Sequence, residues 1–181
     1  NPGKTYDEKA PVIDGTTVAF IGYDGKDDEV WIYNAQTKQV RQISSNEWDD
    51  SDVQIDGSLL IWVGYDGDRQ MNANDTELYY TNINDATNTV IQLTNNTVAD
   101  RTPSISGYNV AWQGLDTSGY DMEIFYTRLY SGMVPLNISS NARLNDSNPT
   151  IRGKQIVWES GYFNEDGSIG GEILFFEVGG S

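Results

Sequence analysis

The sequence predicts an all-β chain assembled from four copies of one small antiparallel sheet. Three observations carry that prediction. A unit recurs along the 181 residues. Its segments are short runs rich in β-branched and aromatic residues, bounded by Gly, Asn and Asp. No stretch keeps a 3.6-residue apolar period, so helices are expected to be few.

The recurrence is clearest at a glycine. Ile13-Asp14-Gly15 returns as Ile55-Asp56-Gly57, Ile105-Ser106-Gly107 and Ile151-Arg152-Gly153, with the glycines 42, 50 and 46 residues apart. Strand a ends at this landmark and opens near an acid: Glu8, Asp50, Asp100 or Asp146. These acids are expected to cap the entry into strand a by accepting backbone N–H groups. Strand b follows the glycine as Val18-Ala19-Phe20, Leu60-Ile61-Trp62, Val110-Ala111-Trp112 and Ile156-Val157-Trp158. Strand c follows a glutamate each time, at Glu29, Glu77, Glu123 and Glu172. Strand d closes the first three copies at 40–44, 90–94 and 134–139, and the polar pairs Ser45-Asn46, Asn95-Asn96 and Ser140-Asn141 come after it.

Strands b and c are apolar on both faces, so one such meander cannot shield itself. A neighbouring meander against each flank can. Radial stacking of meanders is the β-propeller solution. The expected fold is therefore a β-propeller-type chain of four antiparallel blades, near 8–50, 51–100, 101–146 and 147–178, forming one domain. The pattern resembles the TolB-type propeller repeat, with its Asp-x-x-Pro opening, glycine before strand b, Asp-Gly turn and Glu-Ile-Tyr strand c. Here the resemblance rests on Asp100-Arg101-Thr102-Pro103, Gly107, Asp24-Gly25 and Glu123-Ile124-Phe125-Tyr126, and spans residues 8–178. It implies the fold and little about function, because such repeats serve scaffold, peptidase and surface proteins alike.

The fourth copy has strands a, b and c but no strand d of its own before Ser181. An edge formed by Ile173, Leu174, Phe175 and Phe176 is an aggregation hazard unless covered. Three sources of cover fit the sequence. Residues 2–7 could pair there, although by spacing the matching strand falls ahead of Asn1. The chain could instead be an arc of a longer propeller. A second subunit could donate the strand, and open-ended donation of that kind builds filaments.

Composition narrows the partners. The formal charge is −16, from 27 acids against 11 Lys and Arg. Such a surface disfavours phosphate backbones and anionic membranes and leaves cations, proteins and neutral glycans. No apolar run is long enough to span a bilayer. Asn-, Ser-, Thr- and Gly-rich turns point to an extracellular or cell-surface location, with glycosylation-type triplets beginning at Asn74, Asn95, Asn137 and Asn145.

With no His and no Cys, a histidine triad and zinc-type sites are excluded, and calcium is the one metal the donor set suits. The acids of the b–c turns are its candidates: Asp24, Asp27 and Asp28; Asp66 and Asp68; Asp116 and Asp121; Asn164 and Asp166. The longest turn, with Asp68, Asn72, Asn74 and Asp75, is the favoured ion site; elsewhere Asp-Gly pairs read as tight turns. The fourfold recurrence of Glu29, Glu77, Glu123 and Glu172 argues for structure over catalysis, since catalytic carboxylates need unlike environments. Non-repeated acids such as Glu47, Asp49 and Glu159 are the better places to look for chemistry, and nothing marks them. Trp62, Trp112 and Trp158 read as inter-blade packing. Trp48, Tyr65, Tyr120 and Tyr162 are the aromatics expected to be exposed for a glycan or a protein. The reading is a non-enzymatic module for adhesion, recognition or self-assembly, with an accessory propeller of a larger exported enzyme as the alternative.

Overall fold

The computed structural model describes residues 7–65, 75–85, 87, 89–116, 121–130, 132, 134–140, 145–164, 166 and 168–179. Among these residues there is no helix, and the strands form four antiparallel sheets. Sheet A holds β1 (Glu8–Asp14), β2 (Thr17–Tyr23), β3 (Asp28–Asn34) and β4 (Gln39–Gln42). Sheet B holds β5 (Ser51–Asp56), β6 (Leu59–Tyr65), β7 (Thr76–Asn82) and β8 (Ile91–Gln92). Sheet C holds β9 (Asp100–Ser106), β10 (Asn109–Leu115), β11 (Met122–Arg128) and β12 (Leu136–Asn137). Sheet D has three strands among the described residues: β13 (Asp146–Arg152), β14 (Gln155–Phe163) and β15 (Ile169–Glu177). Each sheet is a simple meander, as the repeat predicts. The chain divides into two compact units, Asn1–Asn96 and Thr97–Ser181, which hold sheets A and B and sheets C and D respectively.

The repeated glycine makes the a–b hairpin. Gly15, Gly57, Gly107 and Gly153 all have φ between +54° and +61°, the left-handed backbone that tight two-residue hairpins require. Strand a carries a second left-handed residue that the sequence gives no hint of. Ala10, Asp52, Thr102 and Asn148 have φ of +49°, +50°, +45° and +53°. Each lies where the a–b register slips. This β-bulge decodes the Asp-x-x-Pro opening: the residue ahead of the proline is the bulge, and the proline needs no ladder N–H there.

Strand d is shorter than the apolar runs at 40–44, 90–94 and 134–139 suggest. After two to four paired residues the ladder hands over to side chains. The Val30, Leu78 and Ile124 N–H groups donate to the hydroxyls of Ser44, Thr94 and Ser139 at 2.8–2.9 Å. A hydroxyl in place of a carbonyl ends the strand without orphaning a buried donor.

In the first unit, Ala19, Ile21, Val30, Ile32 and Ile43 of the sheet A repeat pack on Val53, Leu60 and Trp62 of sheet B. In the second, Ala111, Ile124 and Tyr126 pack on Ile151, Ile156 and Trp158. The cores therefore lie between successive meanders, where residues from one face of each strand b and c meet. Among the described residues no helix is long and apolar enough to cross a membrane.

Candidate functional site

The repeated acids build an internal motif. Glu29, Glu77 and Glu123 are buried at the start of strand c, and Asp50, Asp100 and Asp146 are buried at the foot of strand a. Glu29 Oε1 accepts the Asn46 N–H at 2.7 Å, and Glu77 Oε1 accepts the Asn96 N–H at the same distance. In sheet C the Ser139 hydroxyl donates to Glu123 Oε2. The aspartates were expected to cap backbone N–H groups; side-chain donors reach two of them. Asn46 Nδ2 donates to Asp50 Oδ1 at 3.4 Å, and Trp112 Nε1 donates to Asp100 Oδ1 at 2.8 Å. The reason is a glycine on strand b. A Cβ at Gly64 or Gly114 would lie 2.6 Å from the Oδ1 of Asp50 or Asp100, so the missing side chain is the space the carboxylate occupies. Asp50 has its pKa pushed up to about 8, first by burial and then by the neighbouring Glu29 carboxyl, with the Ser44 and Asn46 hydrogen bonds opposing. A proton held on Asp50 resolves the clash of two buried carboxyls side by side. Glu8 and Glu172, the counterparts in the first strand a and the last strand c, are exposed.

At the end of the β2–β3 hairpin, Asp24, Asp27 and Glu29 converge, each offering an oxygen within 4.8 Å of the others. Asp24 Oδ1 organises the turn by accepting the Lys26 N–H at 2.8 Å and the Asp27 N–H at 3.4 Å. The Lys26 N–H bond leads in holding its pKa below the usual carboxylate value. Asp27 is 7% exposed, and neither of its oxygens has a hydrogen-bond partner among the described residues; Glu29 Oε2 has none either. Desolvation raises the Asp27 pKa, and the charges of Glu29, Asp24 and Asp49 add to it.

The residues singled out by sequence fare unevenly. Asp68, Asn72 and Asn74 of the favoured ion turn lie outside the described residues, and Asp75 is buried beside β7. Tyr120 is also outside them, whereas Tyr162 is exposed. Trp48 and Tyr65, expected to be exposed, are half-buried and share one cavity of about 430 Å³ with Trp62, Tyr79, Glu47 and Asp50. The correction has a simple cause: the aromatic rings shelter in the step between sheets A and B, where apolar area is removed from water. Among the glycosylation-type asparagines, Asn95 and Asn145 are exposed. Asn137 is half-buried, and its oxygen accepts the Ser139 and Ser140 N–H groups.

The four residues of the expected interaction edge divide by pleat. Leu174 and Phe176 face inward and pack on the core of the second unit, while Ile173 and Phe175 are 69% and 56% exposed on the outer face. Strand β15 pairs along its whole length with β14. Among the described residues no strand pairs with its other side, where β4, β8 and β12 stand in the sister sheets.

No protein-family model matches the sequence, and no curated protein is significantly similar to it. Solved structures do resemble it. TolB from Acinetobacter baumannii aligns with 96% of this chain at 15% identity and a TM-score of 0.67. A putative TolB from Agrobacterium tumefaciens aligns with 90% at 16% identity and a TM-score of 0.62. A prolyl endopeptidase aligns with 97% at 10% identity and a TM-score of 0.67. The chain spans 41% and 63% of the two TolB structures and 28% of the endopeptidase. At such identities the likeness concerns architecture, and it agrees with the meanders, the glycine hairpins and the Asp-x-x-Pro bulges. The chain carries the TolB-like β-propeller fold.

Proposed function

We propose that this chain is a non-catalytic, extracellular or cell-surface propeller module that associates with a second copy of itself by strand pairing along β15. One observation carries the reading. Strand β15 is nine residues long with an apolar run from Ile173 to Phe176, and among the described residues its outer side has no strand in the position filled in the three sister sheets. Open edges of this kind are sites of strand addition. The exposed Ile173 and Phe175 supply an apolar face next to the edge, and repetition of such a contact without closure produces a filament. The acidic, Asn- and Ser-rich surface supports an exported location.

Size-exclusion chromatography with light scattering over a concentration series, followed by negative-stain imaging, tests this. Concentration-dependent oligomers or fibres are expected, and Ile173→Lys with Phe175→Lys is expected to return the chain to monomer. A wild-type chain that stays monomeric up to its solubility limit refutes the proposal. The prolyl endopeptidase likeness supports a second reading, an accessory propeller of a larger exported hydrolase. A hydrolase domain in the same reading frame would decide for it.

A further inference from the structure

We propose that the end of the β2–β3 hairpin is a calcium site formed by Asp24, Asp27 and Glu29. Three acids close together are not by themselves a site, because acidic turns are common in so acidic a chain. The second observation is Asp27. Its side chain is 7% exposed, and both of its oxygens lack any hydrogen-bond partner among the described residues, as does Glu29 Oε2. A carboxylate withdrawn from water without donors is costly, and one oxygen from each of Asp24, Asp27 and Glu29 lies within 4.8 Å of the others.

The protein's own cations do not fill the gap. Lys9 pairs with Asp28, and Lys26, on the same turn, acts on Asp24 and Asp27 through its charge but forms no ion pair among the described residues. Nor does the hairpin need the cluster in order to form. In sheet D the matching positions are Gly170 and Gly171, inside β15; the b–c hairpin turns between Asn164 and Ser168 without such a cluster among the described residues, and Glu172 is exposed. Asp24 is already oriented by the Lys26 and Asp27 N–H groups, which fixes one ligand before any ion arrives.

The donor set selects the metal class. All the oxygens are carboxylate, and the chain has no His or Cys, so soft and borderline cations lose their preferred ligands. Calcium accepts irregular shells of six to eight oxygens, whereas magnesium demands near-octahedral geometry and gives up its water reluctantly. Water completes the shell at this surface turn.

The test uses the full chain stripped with a chelator, titrated calorimetrically with calcium chloride and in parallel with magnesium chloride, together with thermal melts. Wild type is expected to show saturable calcium binding and a rise in melting temperature, with magnesium weaker by at least about tenfold. Asp27→Asn is expected to melt above wild type in chelator, because an unpartnered charge is gone, and to lose the calcium response. Asp166→Asn, in the sheet D turn, is expected to behave as wild type. Absence of saturable calcium binding at millimolar concentrations overturns the site. So does wild-type affinity in Asp27→Asn, a matching loss in Asp166→Asn, or magnesium binding as tightly as calcium.

Discussion

Asp50 shows how one residue couples the repeat to pH. Its carboxyl lies under Gly64, beside Glu29 and the Ser44 hydroxyl, and burial lifts its pKa to about 8. The sign follows from linkage: a raised folded-state pKa means that the folded chain binds a proton the unfolded chain releases. That contribution is complete below about pH 4, declines as the pH rises from there, and is lost through the folded pKa near 8. Asp50→Asn keeps the shape of the group and has no proton to lose. Thermal melts across this range should show wild type losing stability with rising pH more steeply than the variant, with the variant the more stable at alkaline pH. Parallel curves would place the proton elsewhere. The glutamates at the head of strand c were legible as structural from their recurrence. The partner of Glu29 was not, because Asp50 lies 21 residues further along and meets it only after the sheet has folded.

At the scale of the element, the bulge in strand a is the feature that sequence reasoning missed most plainly. The motif Asp-x-x-Pro was visible, but its meaning was not, since a left-handed φ at Ala10, Asp52, Thr102 and Asn148 leaves no mark in residue type. Only Asp52 and Asn148 belong to classes that favour this region. Ala10 is exposed with φ of +49°, so Ala10→Gly should relieve backbone strain and stabilise the chain by about 1 kcal/mol. Chemical denaturation measures this, and a destabilised variant would mean that the entropy of the added glycine outweighs the strain. The glycines of the a–b hairpins were the opposite case. Their recurrence alone marked the junction of strands a and b, and the structure shows there the positive φ that a tight hairpin demands.

For the molecule as a whole, a net charge of −16 on 181 residues sets a repulsive background. In chelator, where no divalent cation can compensate, sodium chloride raised from about 10 mM to about 500 mM shortens the screening length from about 30 Å to about 4 Å. The melting temperature should rise by several degrees over that range, and a flat profile would show that the acids are already balanced locally. The sequence by itself determined the four meanders, the order of their strands, the hairpin glycines and the propeller class. These follow from local periodicity and from sheets too apolar on both faces to stand alone. Only the tertiary structure decided which acids are buried together, that Trp48 and Tyr65 line a cavity rather than face solvent, and that β15 splits its apolar residues between core and surface. Burial is a property of what packs against a residue from elsewhere in the chain, and spacing along the sequence does not carry it.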